Sequence, residues 1–384
     1  MVTKYDVFAR IIENAPCKIS SLKFQVPVYN HIKELQKENL VEKNNNLLVP
    51  IKSEKSEIIF KIIKWSLKNG FDFNLWFRKN TLEIIKKLSE NNLKINSKTL
   101  SNNYSNLEII NFLIENQFIL LQKKKPKLGT LLNNNIFELL KKYNKKEFKI
   151  EENFLNFEEI SKLILKGKSQ IVNPFENKIF EFLAGSAQLE GSTVTIGETI
   201  DLIIKNIYPN KPIEDIQMVK NLNLAFDYMY ENYNKELTIE KIKQINEKCL
   251  ITLHKGGGIF KKNQNKIQGN PNFKVAHPSE VFKKLERFCK IFNQIKSKKE
   301  VLEKIGFLHN EFQHIHPFID GNSRTTRILI NWLILKFNLP LIILKKGSFE
   351  KYMNLTKLSK KRNDDFLRDF LLHILYHESL IKDL

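Results

Sequence analysis

Apolar side chains recur at helical spacing along most of this chain, with short strand-like runs confined to its first third. Tyr5, Phe8, Ile11 and Ile12 share one helical face, which breaks at Asn14-Ala15-Pro16. A short apolar element follows at Ile19 and Leu22. Next comes a helix with Val28, Ile32 and Leu35 inward and His31, Lys33 and Lys37 outward. Leu40-Val41-Glu42-Lys43 and Leu47-Leu48-Val49 predict two strands around Asn44-Asn45-Asn46, a hairpin. Ile58 to Leu67 reads as a connecting helix. A second pass of the same order is expected over 80–127. Leu82, Ile85 and Leu88 lie on one helix, and Ile109, Ile110 and Leu113 on a later one. Phe118-Ile119-Leu120-Leu121 then leads into Lys123-Lys124-Lys125-Pro126-Lys127. From about residue 155 the pattern is almost all helical, with turn signals at Pro209-Asn210-Lys211-Pro212 and between Lys255 and Pro278.

The order over residues 1–55 resembles the winged-helix family of DNA-binding domains, by pattern and without a specific motif. Residues 56–150 are expected to hold a helical linker and a second winged helix with the 123–127 lysine run as its basic wing. A helical spacer with solvated lysines fits them equally well. Residues 151–384 form a helical domain of their own. Winged helices also serve as protein-docking modules, so the fold alone does not establish DNA binding.

Charge sharpens that reading. The chain of 384 residues carries a formal net charge of +21, with 27 Lys/Arg against 14 Asp/Glu in residues 1–150 and 36 against 28 in the remainder. An excess concentrated near the start favours an acidic partner, double-stranded DNA first among the candidates. The general richness in Lys, Asn and Ile offers a purely compositional explanation. No apolar run reaches the ~18 residues of a membrane span, and the N-terminus lacks the apolar core of a signal peptide. Three scattered cysteines, Cys17, Cys249 and Cys289, fit neither a disulfide framework nor a zinc site and point to a reducing cytoplasm.

The candidate chemistry sits in His316-Pro317-Phe318-Ile319-Asp320-Gly321-Asn322-Ser323-Arg324-Thr325-Thr326-Arg327, which joins two apolar helices. Pro317 makes continuous helix through the join improbable. Gly321 supplies a position able to take positive φ, so successive N–H groups can curl around an anion at the start of the second helix. Arg324 and Arg327, three apart, can converge on phosphate oxygens. Asp320 offers a hard oxygen ligand for a phosphate-bound Mg²⁺ or Mn²⁺, and His316 a group that accepts a proton near neutral pH.

The segment resembles the motif of the Fic family, His-x-Phe-x-Asp/Glu-Gly-Asn-Gly-Arg-x-x-Arg, departing from it only at Ser323. The resemblance covers roughly residues 155–380. It implies a helical Fic domain with a β-hairpin flap, so that the fold class expected is mostly α, preceded by one or two winged-helix-like α+β domains. It implies that His316 deprotonates the target hydroxyl and that Phe318 anchors the loop. It further implies that Asp320 holds the metal, that Gly321, Asn322 and Ser323 cradle the inner phosphates of ATP, and that Arg324 and Arg327 hold the outer ones. A lysine at position 323 would mark the phosphorylating branch of the family; its absence favours AMP transfer.

Upstream, Ser186-Ala187-Gln188-Leu189-Glu190-Gly191 resembles the family's inhibitory motif, Ser/Thr-x-x-x-Glu-Gly/Asn. Ser186 and Glu190, four apart, are expected on one side of a helix that Gly191 ends. The resemblance implies that Glu190 pairs with Arg327 against the γ-phosphate. Residues 254–281 resemble the target-aligning flap, with Gly258, Phe260, Lys261, Ile267 and Gly269 as its contact positions. The tract around Lys351-Tyr352-Met353 resembles the helical closing region.

Together these imply a protein adenylyltransferase that acts on a Ser, Thr or Tyr hydroxyl of another protein or of itself, autoinhibited by Glu190 and able also to remove AMP. A homodimer is compatible with this reading. The alternative is a winged-helix DNA-binding regulator whose Fic domain senses nucleotide or modifies itself.

Overall fold

In a computed structural model, residues 2–90, 94–95, 104–123, 127–167, 177–267 and 269–381 are described. The chain divides into two compact units. One comprises Met1–Asn91, Ser97–Ile110 and Asn133–Glu151; the other comprises Asn92–Asn96, Asn111–Leu132 and Glu152–Leu384.

The first unit opens with α1 (Lys4–Asn14), started by a capping box. Asp6 N–H donates to Thr3 Oγ1 and Thr3 N–H to Asp6 Oδ2, which satisfies two otherwise orphaned donors. A 3₁₀ turn at Ile19–Leu22 leads to α2 (Tyr29–Lys37), then β1 (Val41–Asn44) and β2 (Leu47–Pro50). The strands pair antiparallel from Val41↔Pro50 to Asn44↔Leu47. Asn45 and Asn46 both have positive φ, 49° and 66°, the two-residue turn that matches the twist of paired strands. Cys17 adds an isolated antiparallel bridge to Leu48. Tyr5, Phe8, Ile11, Ile32, Leu35 and Leu48 close a common core beneath them. After these come α3 (Glu54–Asn69) and α4 (Thr81–Glu90), and later in the chain α6 (Asn135–Asn144), which packs against α3.

Between α4 and α6 the chain forms β3 (Lys94–Ile95), α5 (Tyr104–Glu115), β4 (Ile119–Lys123) and β5 (Lys127–Leu131), with sheet order β3-β5-β4. Strands β4 and β5 flank the lysine run, while Lys124, Lys125 and Pro126 lie outside the described residues. A division after residue 150 does not hold for this piece: Asn111–Leu132 belong with the C-terminal half. The cause is visible at Gln117. Its amide donates to Ile343 O at 2.8 Å and Glu378 Oε1 at 2.9 Å, and its carbonyl accepts from Lys345 N at 2.9 Å and Ser348 Oγ at 2.7 Å. Leu121 N–H donates to His377 Nδ1 at 2.9 Å.

The rest of the second unit is helical: α7 (Phe157–Lys166), α8 (Asn177–Leu189), α9 (Ile196–Ile204), α10 (Ile213–Asn232), α11 (Ile239–Leu250), α12 (Val281–Gln294), α13 (Lys298–Ile315), α14 (Asn322–Lys336), α15 (Lys346–Leu355) and α16 (Asp364–Ile381). Helix α14 is buried on nearly every side, with α8, α10, α11 and α13 around it. Glycines allow the tightest approaches: a Cβ on Gly306 would lie 2.1 Å from Asp364 O, and one on Gly185 2.2 Å from Leu344 O. Over 254–281 a hairpin is expected; instead the described residues form turns, with a single bridge between Phe260 and Phe318. The strand partner is the motif loop itself.

Candidate active site

Helices α13 and α14 are joined by residues 316–321, and this loop is fastened at several points. His316 closes α13, its N–H donating to Phe312 O at 2.9 Å, with a left-handed backbone (φ 45°) that is uncommon for a non-glycine residue. Lys261 clamps both flanks: its backbone N–H donates to Pro317 O at 2.9 Å and its Nζ to Ile315 O at 3.3 Å. Asn322 turns its side chain back on the loop, accepting from Phe318 N at 3.0 Å and donating to Phe318 O at 2.9 Å. The Phe318 ring is fully buried beside Phe260. Gly321 takes φ 77° at the start of α14, and a Cβ there would sit 2.7 Å from Asn246 Nδ2, so two independent constraints demand glycine.

Two arginines emerge from the first turns of α14, both buried. Arg324 donates to Asp320 Oδ2 at 3.0 Å, while Asp320 Oδ1 accepts from Gly321 N at 2.6 Å. Arg327 reaches α8: its Nε donates to Ser186 Oγ at 2.7 Å, and its Nη2 to Ser186 O at 3.0 Å and Glu190 Oε1 at 2.8 Å. The other carboxylate oxygen of Glu190 stands 3.7 Å from Lys357 Nζ. Glu190 itself lies one residue past the end of α8, in the turn that Gly191 completes with φ 105°. Ser186 and Glu190 thus share the arginine, although only Ser186 is helical.

Electrostatics follow from these contacts. Burial would raise the Glu190 pKa, but Arg327, then Lys357 and Arg324, hold it at about 2. His316 is pushed down to about 4 by burial and then by the Lys261 charge, so its ring is neutral at pH 7. Its Nδ1 is buried without a hydrogen-bond partner among the described residues. Burial also drives Lys261 down to about 8. His309 pairs through Nε2 with Tyr352 Oη at 2.7 Å, and burial lowers it to about 3.

The fold therefore gathers His316, Asp320, Gly321, Asn322, Ser323, Arg324 and Arg327 on one loop and helix start, with Ser186 and Glu190 opposite. Of the flap positions, Gly258 donates its N–H to Asn246 Oδ1 at 2.9 Å, and Phe260 and Lys261 hold the loop. Ile267 packs with Phe273 and Val275 in a small separate cluster, and Gly269, with φ 84°, faces Leu358. Two residues escaped the sequence reading. Asn246 on α11 donates to Asp320 O at 3.0 Å and Thr325 Oγ1 at 3.1 Å, and its signal was a polar side chain among Ile242, Ile245 and Cys249 on an apolar face. Lys357 gave no signal.

Residues 236–334 match the family model described as the Fic/DOC family. That region is a Fic domain. The protein adenylyltransferase Fic of Drosophila persimilis is 28% identical over 200 residues, which cover 51% of this chain and 38% of the relative. The protein of the same description from Drosophila melanogaster is 26% identical over 200 residues, 51% of this chain and 39% of the relative. The chain thus spans about two fifths of the length of the curated relatives it matches. Among solved structures, a Fic domain containing signaling protein from Bacteroides thetaiotaomicron aligns with TM-score 0.49 and 22% identity over 59% of this chain and 94% of that one. Fic-1 from C. elegans aligns with TM-score 0.48 and 15% identity over 86% and 91%. The Fic domain so matched contains Asn246, the flap and the whole motif loop; Ser186, Glu190 and Lys357 lie outside its limits.

Proposed function

We propose that this chain transfers AMP from ATP to a Ser, Thr or Tyr hydroxyl of a protein, with Glu190 as its own inhibitor. The observation that carries the reading is the closure of Arg327 on Ser186 and Glu190 directly beside the anion-binding loop. In the reaction the acceptor oxygen bonds to the α-phosphorus as the bridge to the β-phosphate breaks. Pyrophosphate leaves with that electron pair, and the hydroxyl proton passes to the neutral His316 ring. The N–H groups at the start of α14 and the two guanidinium groups face the charge that develops on the phosphates. Asp320, whose side chain is 54% exposed, offers hard oxygens suited to Mg²⁺ or Mn²⁺. Among the described residues no cluster of three metal-ligating side chains exists, so the ion would be shared with the nucleotide, whose charge it would offset.

Incubation with labelled ATP tests the proposal. Glu190→Gly should label itself or added protein far more than the natural chain does, and Glu190→Gly with His316→Ala should not label at all. Equal labelling of the natural chain and Glu190→Gly, with both binding ATP, would rule out the inhibitory role. We propose that the natural chain also removes AMP by hydrolysis, water bonding to the phosphorus as the bond to the protein oxygen breaks and its proton restoring the hydroxyl.

A second reading concerns the N-terminal unit. The order α1, 3₁₀ turn, α2, β1, β2 supports a winged-helix-like domain, and α2 exposes Tyr29, Lys33 and Lys37 to solvent. We propose that this face contacts double-stranded DNA, which would make the chain a regulator as well as an enzyme. Binding to an AT-rich duplex should weaken steeply with salt as counterions are released. No anisotropy change at low salt would leave a protein-docking role. The buried, unpaired thiols of Cys17, Cys249 and Cys289 favour a reducing cytoplasm.

A further inference from the structure

The Glu190 carboxylate is held from two sides. Arg327 takes Oε1, and Lys357, from the loop after α15, faces Oε2 at 3.7 Å. The Lys357 side chain is 29% exposed, so its ammonium borders solvent, whereas Arg327 is buried beneath. The loop that carries Lys357 is held in place. Leu358 N–H donates to Met353 O at 2.8 Å, and Asn270 Nδ2 donates to Lys357 O at 3.0 Å and Ser359 O at 2.7 Å. Asn270 is itself buried, and it belongs to the flap. Arg324 contributes a further positive charge toward the same carboxylate.

Remove the carboxylate, and Arg327 and Lys357 are left facing one another across a gap sized for an oxyanion, with like charge on both walls. Such a pair needs an anion. We propose that Lys357 is a nucleotide-binding residue: with Glu190 displaced, Lys357 and Arg327 together hold the terminal phosphate of a nucleoside triphosphate, and the flap positions Lys357 through Asn270. The carboxylate then acts as an internal stand-in for a phosphate on both cations. This rests on the nucleotide reading above and adds a second cation, from outside the motif, to it. Lys357 faces the Glu190 carboxylate on the side opposite Arg327, so its effect should depend on how many phosphates the ligand has.

The test measures binding, not transfer. In the Glu190→Gly background, titration calorimetry with Mg-ATP and with AMP compares Lys357, Lys357→Gln and Lys357→Arg. Lys357→Gln should weaken ATP roughly tenfold, the scale of one charge-assisted contact at a half-exposed site, and leave AMP within about twofold. Lys357→Arg should restore most of the loss. Lys357→Ala provides a second truncation should the glutamine variant fold poorly. Equal ATP affinity with and without the ammonium would overturn the proposal, as would an equal loss for ATP and AMP. A Glu190→Gly protein that binds no ATP would overturn the nucleotide reading together with it.

Discussion

Asn246 donates to the Asp320 carbonyl at 3.0 Å while its own Oδ1 accepts from Gly258 N at 2.9 Å, so one buried amide ties the 316–321 loop to the 254–281 segment. Asn246→Leu removes these bonds and strands the buried Gly258 N–H, at a cost of about 1–3 kcal/mol. Thermal melts should show a clear fall, and AMP transfer in the Glu190→Gly background should drop by an order of magnitude or more. Leucine-like retention of full transfer would mean that the loop holds its shape without the amide.

The lowered pKa of His316 predicts an unusual pH profile. With a folded-state value of about 4, the ring stays neutral through the range where a free histidine, near 6.5, would protonate. The acidic limb of kcat/KM should therefore lie near pH 4–5. The same shift acts on stability: the unfolded chain binds a proton between about pH 6.5 and 4 that the folded chain does not, so the fold weakens as pH falls through that window. His316→Gln should flatten that part of the stability curve, measured by denaturant titration at each pH.

Glu190 acts in the same direction, at lower pH. Its pKa of about 2 lies below the ordinary carboxylate range, so its contribution is complete above about pH 4.5 and fades as pH falls towards 2. Glu190→Gln should be less stable than the natural chain at pH 7, with the gap closing on acidification. Parallel curves would mean that the ion pair with Arg327 adds nothing to the fold.

Gly185 offers a way to test the proposed inhibition by disturbing the Glu190–Arg327 contact without touching the carboxylate. A Cβ there would collide with Leu344 O at 2.2 Å, and backbone cannot yield as a flexible side chain can. Gly185→Ala should push α8 outward, lower the melting temperature, and raise AMP transfer by loosening Glu190 from Arg327. The conservative control, Gly197→Ala, meets nothing within 4 Å and should leave both unchanged.

Much of the site is legible in the sequence. Twelve residues from His316 to Arg327 carry their chemistry in local order, because a loop entering a helix start needs its glycine, its anion-facing amides and its arginines close together in sequence. The contact between Arg327 and Glu190 could be expected from the motifs, but not the sharing of Glu190 with Lys357, since no local spacing links a loop after α15 to the end of α8. The flap misled for a related reason. The family resemblance implies a hairpin over 254–281, yet Phe260 pairs with Phe318 from the motif loop, a partner that only tertiary structure supplies. In the first half, Asn45-Asn46 announces its turn, whereas the docking of 111–132 on the C-terminal half rests on long-range contacts of Gln117 and Leu121 that no local pattern flags.

That glutamine bears on how the molecule can be divided. Gln117 meets Ile343 O, Lys345 N, Ser348 Oγ and Glu378, and Gly347 lies so close that a Cβ on it would come within 2.4 Å of Phe118 N. A fragment beginning at Glu152 would contain every motif residue and still lack a piece of its own interior. It would expose one flank of α16 and leave Glu378 with one hydrogen-bond donor fewer. A self-sufficient fragment of this unit has to begin before Asn111, so its shortest autonomous version retains sequence that reads as part of a different domain.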